Sequence, residues 1–211
     1  MKTQKGPLKI GLTGSPGAGK SLVLHFLAQK GVPTLQTDHL GHGLLRDKAF
    51  SGKLARRLGR GILGPQGLVD RQKLGALVFK DPRKREFLNR LIHPQIRVLV
   101  ADWVKKKARS PKGLVVVEVP LLFERGFYKF FDGNLSVSAP RALRRKRLLR
   151  RGWDASEVHK RETAQLSQAR KDRMADWVLV NDRSPAKTRK KVSLWISLVK
   201  SGPKGPGKKV F

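Results

Sequence analysis

The sequence predicts an α/β fold with a parallel sheet of five strands, and two observations support this prediction. The apolar run 8–13 has the length of a buried strand, and the glycine-rich stretch Gly14–Ser21 links it to an apolar helical run. Helical patterns then separate it from four further apolar runs of strand length, at 32–37, 114–119, 134–139 and 176–180. Apolar strands that alternate with helices are typical of parallel sheets with right-handed crossovers.

The glycine-rich stretch fits the pattern of a phosphate-binding loop, Gly14-Ser15-Pro16-Gly17-Ala18-Gly19-Lys20-Ser21. Its glycines let the backbone curl so that N–H groups point at phosphate oxygens, and the helix that follows adds the positive end of its dipole. Lys20 can then reach the outer phosphates, and the hydroxyl of Ser21 can ligate Mg²⁺. The alternative is a glycine-rich turn that happens to carry a lysine, and the strand before the loop and the helix after it argue against that alternative.

Two carboxylates lie at or near the carboxyl ends of predicted strands, which form the edge of a parallel sheet where ligands bind. Asp38 comes at the end of the second strand, and Glu118 lies near the end of the third. Asp38 is either the N-cap of the next helix or a functional group on the same rim as the loop. Glu118 is either a solvated charge at a strand end or an acid that holds Mg²⁺ through water, and we favour the second interpretation.

The charge of the chain is strongly unbalanced. Lys and Arg number 47 against 15 Asp and Glu, which gives a formal net charge of +32. Such a field attracts polyanions. However, the basic residues are spread along the chain, and only 7% of residues are aromatic, so the sequence shows no interleaved aromatic and basic surface for stacking bases. We therefore expect non-specific polyanion binding and no specific nucleic-acid partner.

The composition also excludes several classes of protein. The chain has no cysteine, so disulfides and thiolate metal sites are excluded. No apolar stretch is long enough to span a bilayer, and the N-terminus lacks the apolar core of a secretory signal. These observations predict a cytoplasmic protein without a membrane partner.

The region from 39 to 110 is predicted to be mostly helical. Asp70 is expected to cap a helix over 71–79, and a longer helix is expected to begin after it. Pro94 lies inside the apolar pattern of this longer helix, which predicts a kink or a break near His93. A histidine beside a kink is more often structural than catalytic.

The segment from 141 to 151 is rich in arginine. This pattern indicates either a solvated surface or a mobile flap whose arginines stabilise charge on a transferred phosphoryl group. A charged helix is expected over 154–174. The termini, 1–7 and 201–211, are expected to be flexible and basic.

Taken in order, the motifs resemble those of the dephospho-coenzyme A kinase family, over about residues 9–198. The matching segments are Gly11-Leu12-Thr13-Gly14, Asp38, Leu68-Val69-Asp70-Arg71, His93-Pro94-Gln95-Ile96, Glu118-Val119-Pro120-Leu121-Leu122-Phe123-Glu124, Arg147, Arg151-Gly152-Trp153, Gln165, Lys171, Ala175-Asp176 and Asn181. A phosphate-binding loop alone fits many enzymes. The His-Pro element followed by Pro-Leu-Leu-Phe-Glu is much more selective.

The resemblance implies one P-loop kinase domain over 8–200, with flexible termini outside it. Its core, with the five-stranded parallel sheet, comprises about 8–38, 112–140 and 175–200. A helical region for binding coenzyme A spans about 39–110, and a small helical lid spans about 141–174. The implied activity is transfer of the γ-phosphate of ATP to the ribose 3′-hydroxyl of dephospho-CoA with Mg²⁺, the last step of coenzyme A biosynthesis. The chain is expected to be a monomer or a weak homo-oligomer.

The resemblance also implies roles for individual residues. The catalytic residues are Asp38, Lys20, Arg147 and Arg151. The nucleotide-binding residues are Gly14, Ser15, Pro16, Gly17, Ala18, Gly19, Lys20, Ser21, Leu22 and Asn181. The substrate-binding residues are Asp38, His93, Pro120, Leu121, Leu122 and Glu124. The magnesium ligands are Ser21 and Glu118.

Four positions depart from the family pattern. Gln36, Leu22 and Val180 stand where the family usually has Asp, Thr and Asp, and the family usually carries an apolar branched residue around Pro16. The alternative functions are a P-loop kinase for another nucleoside-like acceptor and a basic nucleic-acid-binding P-loop ATPase. A hydroxyl acceptor benefits from a carboxylate that takes its proton, whereas a phosphate acceptor does not need one, so the catalytic role that the resemblance gives Asp38 agrees with the chemistry.

Overall fold

Parallel strands form the centre of the computed structural model, which describes residues 6–107, 113–201 and 209–211. The strands are β1 (Leu8–Thr13), β2 (Thr34–Gln36), β3 (Leu114–Glu118), β4 (Gly133–Ser138), β5 (Trp177–Val180) and β6 (Lys209–Val210). They form one sheet in the order β2-β3-β1-β4-β5-β6, and the pairs β3–β1, β1–β4, β4–β5 and β5–β6 are parallel. The loops after β1 and β3 therefore leave the sheet at the same edge, next to each other.

Helices connect most of these strands. In chain order they are α1 (Lys20–Gln29), α2 (Thr37–Leu45), α3 (Lys48–Leu58), α4 (Arg71–Lys80), α5 (Pro82–Lys107), α6 (Arg141–Leu149), α7 (Ala155–Thr163), α8 (Gln168–Met174) and α9 (Pro185–Lys200). The described residues form two compact units. One contains the residues up to Leu35 and from Lys106 onward, and the other is Gln36–Lys105.

The core of the first unit lies where α1 and α9 pack with the inner strands. It contains Ile10 and Leu12 of β1, Leu135 and Val137 of β4, and aliphatic side chains of both helices, all of them buried. Trp195 of α9 is fully buried, and its ring meets that of Trp177 edge to face at a centroid distance of 6.0 Å. Burial of this apolar surface is the main stabilising contribution in the unit.

The second unit has a smaller core of its own. Leu54, Leu58, Ile62, Val69 and Leu74 are buried together, and side chains of α5 pack against them. An N-cap fixes where α4 begins. The side chain of Asp70 accepts hydrogen bonds from the N–H groups of Gln72 and Lys73 at the start of this helix. The predicted N-cap at Asp70 is confirmed.

The predicted fold class, an α/β fold on a parallel sheet, is confirmed, and each of the five predicted strands is present with small shifts at its ends. Three details differ. The charged helix expected over 154–174 is two helices, because Ser167 caps a new helix with a hydrogen bond to the N–H of Arg170. Of the kink or break expected near His93, the break is wrong, because the helix α5 continues through Pro94, and the kink stays a prediction.

The third difference is the strand β6, which lies in the segment expected to be a flexible tail. The N–H of Phe211 donates to Val178 O, and the N–H of Val180 donates to Phe211 O, both at 2.9 Å. The Phe211 side chain packs against the core of the first unit. This apolar contact stabilises the last residues of the chain at the edge of the sheet. Residues 1–5 and 202–208 of the predicted flexible termini lie outside the described residues.

Candidate active site

The phosphate-binding loop connects β1 to α1, and its glycines have the backbone geometry that such a loop needs. Gly17 and Gly19 have φ angles of +76° and +96°, which side-chain-bearing residues rarely adopt. A Cβ on Gly17 would lie 2.6 Å from Arg144 O, and a Cβ on Gly19 would overlap the side-chain amide of Asn181. The loop can therefore fold this way, and pack this closely on its neighbours, only with glycine at these positions.

Lys20 is the first residue of α1, and its ammonium lies over the loop. The Nζ atom donates to Gly14 O at 2.9 Å and lies 3.4 Å from Ser15 O. It also lies 3.9 Å from Oε1 of Glu118, the last residue of β3, whose side chain is 10% exposed. A cation held by carbonyl oxygens and a buried carboxylate at the N-terminus of a helix is suited to binding phosphate.

Asn181 and Arg147 hold the loop from the side of β5 and α6. The Asn181 amide donates to Ala18 O at 2.8 Å, and its carbonyl oxygen accepts from the hydroxyl of Thr188 at 2.9 Å. The Arg147 guanidinium donates to Gly17 O at 3.3 Å and to Asn181 O at 3.0 Å. The structure therefore brings both predicted residues to the loop, where each binds backbone atoms of the protein.

The electrostatics around Arg147 favour an anion. Partial burial lowers the pKa of the Arg147 guanidinium, and the positive charge of Arg151 lowers that pKa further. Arg151 itself is exposed in the turn that follows α6. Arg147 contacts the loop, and two positive charges that destabilise one another are both stabilised when a phosphate group binds near them.

A buried ion pair lies beside the turn that follows β3. The ammonium of Lys171, which is 0% exposed, lies 3.2 Å from Glu124 Oε1 and donates to Pro120 O at 2.7 Å and Gln165 Oε1 at 2.8 Å. Burial lowers the pKa of Lys171, Glu124 opposes that shift, and the charge of Lys20 adds to it. Of the predicted substrate-binding residues here, Pro120 and Leu121 are half-buried, whereas Leu122 is buried.

The sequence interpretation missed a second polar group, formed by Gln168, Asp172, Ser136 and Ser138. Asp172 accepts hydrogen bonds from the hydroxyls of Ser136 and Ser138 at 2.6 and 2.8 Å. Gln168 connects this carboxylate to the backbone of the loop. One signal was available: Ser136 and Ser138 are two positions apart in a strand and therefore point to the same face.

The remaining predicted residues, Asp38 and His93, belong to the second unit. Asp38 is the second residue of α2 and is exposed. The strand before it ends at Gln36, which is the N-cap of α2, so neither the strand end predicted at Asp38 nor the N-cap alternative is correct. His93 is half-buried in the middle of α5, directly before Pro94.

The side chains that could ligate a metal ion are few. Ser21 is exposed in the first turn of α1, and Glu118 ends β3. Within residues 6–107, 113–201 and 209–211, no three or more His, Cys, Asp or Glu side chains group in a way that could hold a metal ion. In the same part of the chain, no helix has the length and apolar character needed to cross a bilayer.

Comparisons with known proteins agree with this arrangement. The family model of dephospho-CoA kinase matches residues 8–187. A dephospho-CoA kinase of Thermus thermophilus is 35% identical over 202 residues, which are 95% of this chain and 96% of that relative.

Solved structures extend the comparison to the fold. A crystal structure of a Thermus thermophilus protein has a TM-score of 0.82 at 34% identity and covers 94% of this chain and 100% of that one. The dephospho-CoA kinase of Campylobacter jejuni has a TM-score of 0.70 at 24% identity, over 92% and 98% of the two chains, and at that identity it supports the fold alone. The predicted resemblance is confirmed: the chain belongs to the dephospho-CoA kinase family.

Proposed function

We propose that the chain transfers the γ-phosphoryl group of ATP to the ribose 3′-hydroxyl of dephospho-CoA, which yields coenzyme A and ADP. The observation that carries the proposal is the position of the Lys20 ammonium, whose Nζ lies 2.9 Å from Gly14 O and 3.9 Å from Glu118 Oε1. This lysine belongs to a strand–loop–helix unit in a chain that matches the family over residues 8–187. Membership of the family names the acceptor, and the loop supplies the site for the donor.

The loop is the donor half of the proposed site. The helix α1 begins directly after the loop, so the positive end of its dipole favours the phosphates of ATP there. Lys20 neutralises charge on the outer phosphates, and Glu118 keeps its ammonium in place. Because the protein does little covalent chemistry in phosphoryl transfer, alignment and charge stabilisation lower the barrier.

The arginines complete the proposed donor half. Arg147 and Arg151 carry positive charges that repel each other, and we assign them to the charge that spreads over the γ-phosphoryl oxygens in the transition state. The lid role of residues 141–174 and the roles of Arg147 and Arg151 rest on the family resemblance together with this electrostatic argument.

Asp38 is the proposed base of the acceptor half. Its carboxylate takes the proton of the 3′-hydroxyl as the oxygen–phosphorus bond forms and the bond from the γ-phosphorus to the leaving ADP oxygen breaks. The exposed position of Asp38 in the first turn of α2 is consistent with access to a substrate. His93, Pro120, Leu121, Leu122 and Glu124 are the proposed substrate-binding residues.

Magnesium is proposed to bind with ATP, through the hydroxyl of Ser21 and the carboxylate of Glu118. Hard oxygen donors suit Mg²⁺, which usually takes only one or two protein ligands and completes its shell with water and substrate phosphate. When bound, the ion neutralises charge on the phosphates. Cytoplasmic location and a monomeric or weakly associated state remain predictions, and we assign the net charge of +32 no specific nucleic-acid partner.

An acceptor screen tests the function. The purified chain is incubated with ATP, Mg²⁺ and one acceptor from the set dephospho-CoA, AMP, adenosine and shikimate, and phosphorus NMR locates the transferred phosphate. We expect turnover with dephospho-CoA and a product phosphorylated at the ribose 3′ position.

Two outcomes would replace the proposal. Turnover with AMP or adenosine and none with dephospho-CoA would identify a kinase with another acceptor. ATP hydrolysis that needs no acceptor, is stimulated by RNA or DNA and falls steeply with salt would identify a nucleic-acid-dependent ATPase.

A further inference from the structure

Helix α8 carries three polar side chains to the carboxyl ends of three neighbouring strands. Gln168 binds the loop after β1, Lys171 binds the turn after β3, and Asp172 binds the serine hydroxyls of β4. We call these three side chains the α8 polar cluster. Lys171 and Asp172 thus bind at the ends of β3 and β4, the strands on either side of β1, whereas Gln168 binds the phosphate-binding loop itself.

The hydrogen bonds of Gln168 define a single orientation of its amide. Its Oε1 accepts from the backbone N–H of Ser15 at 2.8 Å. Its Nε2 lies 2.7 Å from Asp172 Oδ1, 3.1 Å from Ser136 Oγ and 3.2 Å from Val137 O. Because a backbone N–H only donates and a carbonyl or carboxylate only accepts, exchanging the oxygen and nitrogen would break these bonds.

The other end of this connection is held firmly on β4. Asp172 accepts from the hydroxyls of both Ser136 and Ser138, so its carboxylate is bound at each oxygen. Val137 O, which Gln168 also approaches, is the atom that a Cβ on Gly14 would overlap. The first two residues of the loop therefore contact β4 both through backbone packing and through the Gln168 amide.

We propose that Gln168 is a positioning residue for the phosphate-binding loop. By holding the Ser15 N–H, it sets the direction in which the loop leaves β1 and keeps that N–H turned away from the phosphates. The Ala18 N–H donates to Ser15 O at 3.2 Å, so we assign phosphate binding to the N–H groups of Gly17 and Gly19 and to Lys20, whose ammonium lies against the carbonyls of Gly14 and Ser15. A small displacement of such groups changes binding strongly.

The first experiment measures ATP binding without an acceptor. In Gln168→Glu, one carboxylate oxygen can still accept from Ser15, but the other lies against Asp172 and Val137 O, which offer no proton. We expect the Kd for ATP, measured by calorimetry, to rise by about tenfold. Gln29→Glu, an exposed change of the same chemistry at the end of α1, is the matched control and should bind ATP like the wild type.

A double variant separates positioning from general damage to the fold. Combining Gln168→Glu with Asp172→Asn gives the introduced carboxylate an amide donor where the aspartate was. The hydrogen-bond chain from Ser15 to β4 is thereby restored with donor and acceptor exchanged. We expect this pair to recover about threefold or more of the lost ATP affinity. Because Asp172→Asn also removes the repulsion between two carboxylates, the uncharged variant Gln168→Met is needed beside it.

A third measurement reads the Ser15 amide directly. Gln168→Met keeps the length of the side chain but removes its acceptor, and hydrogen–deuterium exchange of the loop peptide should become faster. ATP affinity within about twofold of wild type in both single variants, or absence of rescue with unchanged exchange, would overturn the proposal.

The proposal rests on the proposed function only in that ATP binds the loop. If ATP binding responds to Gln168 but dephospho-CoA is not phosphorylated, the acceptor is wrong and the positioning role holds. If dephospho-CoA is phosphorylated normally and changes at Gln168 leave ATP binding unchanged, the acceptor is right and the positioning role is wrong.

Discussion

The apolar side of the first unit and the polar ends of its strands are stabilised in different ways. On the apolar side, α1 and α9 pack on β1, β4 and β5 through side chains such as Trp195 that are completely buried. At the carboxyl ends, Lys20, Lys171, Gln168 and Asp172 are held by hydrogen bonds and ion pairs, most of them to atoms far away in the sequence. Apolar contacts tolerate small shifts, whereas hydrogen bonds depend on distance and direction.

Because the two regions are stabilised differently, we expect substitutions in one to affect mainly stability and substitutions in the other to affect mainly activity. Changes on the apolar side should lower the free energy of unfolding and leave each folded molecule active. Changes at the proposed reaction site should lower turnover with little change in stability, because natural sites are not optimised for stability. Lys171 tests this distinction between the two regions, since it lies at the polar ends of the strands and is nevertheless fully buried.

The largest effect is expected for Asp38→Asn. Loss of the base should lower kcat by about 10²- to 10⁴-fold while the Kd for ATP changes little, because the amide cannot take the proton of the hydroxyl. Steady-state kinetics and calorimetry measure the two effects. Asp102→Asn, an exposed change on α5, is the matched control and should keep wild-type turnover. Near-normal kcat in Asp38→Asn would contradict the assignment of the base.

Trp195→Ala is the corresponding change on the apolar side. Removing this fully buried ring should lower the free energy of unfolding by about 3–5 kcal/mol, through lost burial and the cavity left behind. Chemical denaturation measures this, and activity per folded molecule should stay near normal. Leu194→Ala, at a neighbouring residue that is 59% exposed, should change stability by about 0.5 kcal/mol or less. Equal effects of the two changes would show that α9 does not pack as described.

Lys171→Met tests the buried ion pair. The change leaves Glu124, whose side chain is 13% exposed, without its ammonium partner, so the free energy of unfolding should fall by about 3 kcal/mol. Adding Glu124→Gln removes the uncompensated charge and should recover most of that loss in denaturant titrations. Arg173→Met, on the exposed face of α8, should have little effect. A double variant no more stable than the single one would mean that Lys171 acts mainly through Pro120 and Gln165.

The smallest effect is expected at the start of α9. The side chain of Ser184 accepts from the N–H of Lys187, so Ser184→Ala should lower the free energy of unfolding by about 1 kcal/mol. Ser197→Ala, at an exposed residue near the end of the same helix, should instead raise it by a few tenths of a kcal/mol, about the difference in helix propensity. Thermal unfolding should show shifts of opposite sign. Shifts of the same sign would contradict the cap.

Elements defined by local physics could be predicted from the sequence. The phosphate-binding loop needs only its own glycines, lysine and flanking strand and helix, and the structure shows Gly17 and Gly19 with positive φ. The N-cap at Asp70 is similarly local, because the bonds reach only two and three residues along the chain. Apolar runs predicted the five strands, because a strand buried on both faces must be apolar nearly throughout.

The parts that could not be predicted depend on which distant residues meet. Gln168 binds Ser15 across 153 positions, and Ser136 binds Asp172 across 36, so neither pair has a local pattern. The strand β6 also depends on a partner elsewhere, the free edge of β5. The break between α7 and α8 is local, since Ser167 caps α8 through the N–H of Arg170, and the sequence interpretation missed it. Arg147 was predicted as a phosphate ligand, and only the fold shows that it also binds the carbonyls of Gly17 and Asn181.

Local backbone preferences, apolar periodicity and short motifs were therefore enough to predict the parallel α/β fold class, the phosphate-binding loop and the resemblance to one kinase family. The support of the loop, by contrast, is a property of the folded chain. The fold places β3 and β4 on either side of β1, so that Glu118 reaches Lys20 and the α8 polar cluster meets all three strand ends. Hydrogen bonds of this kind depend on distances that exist only once the sheet has formed.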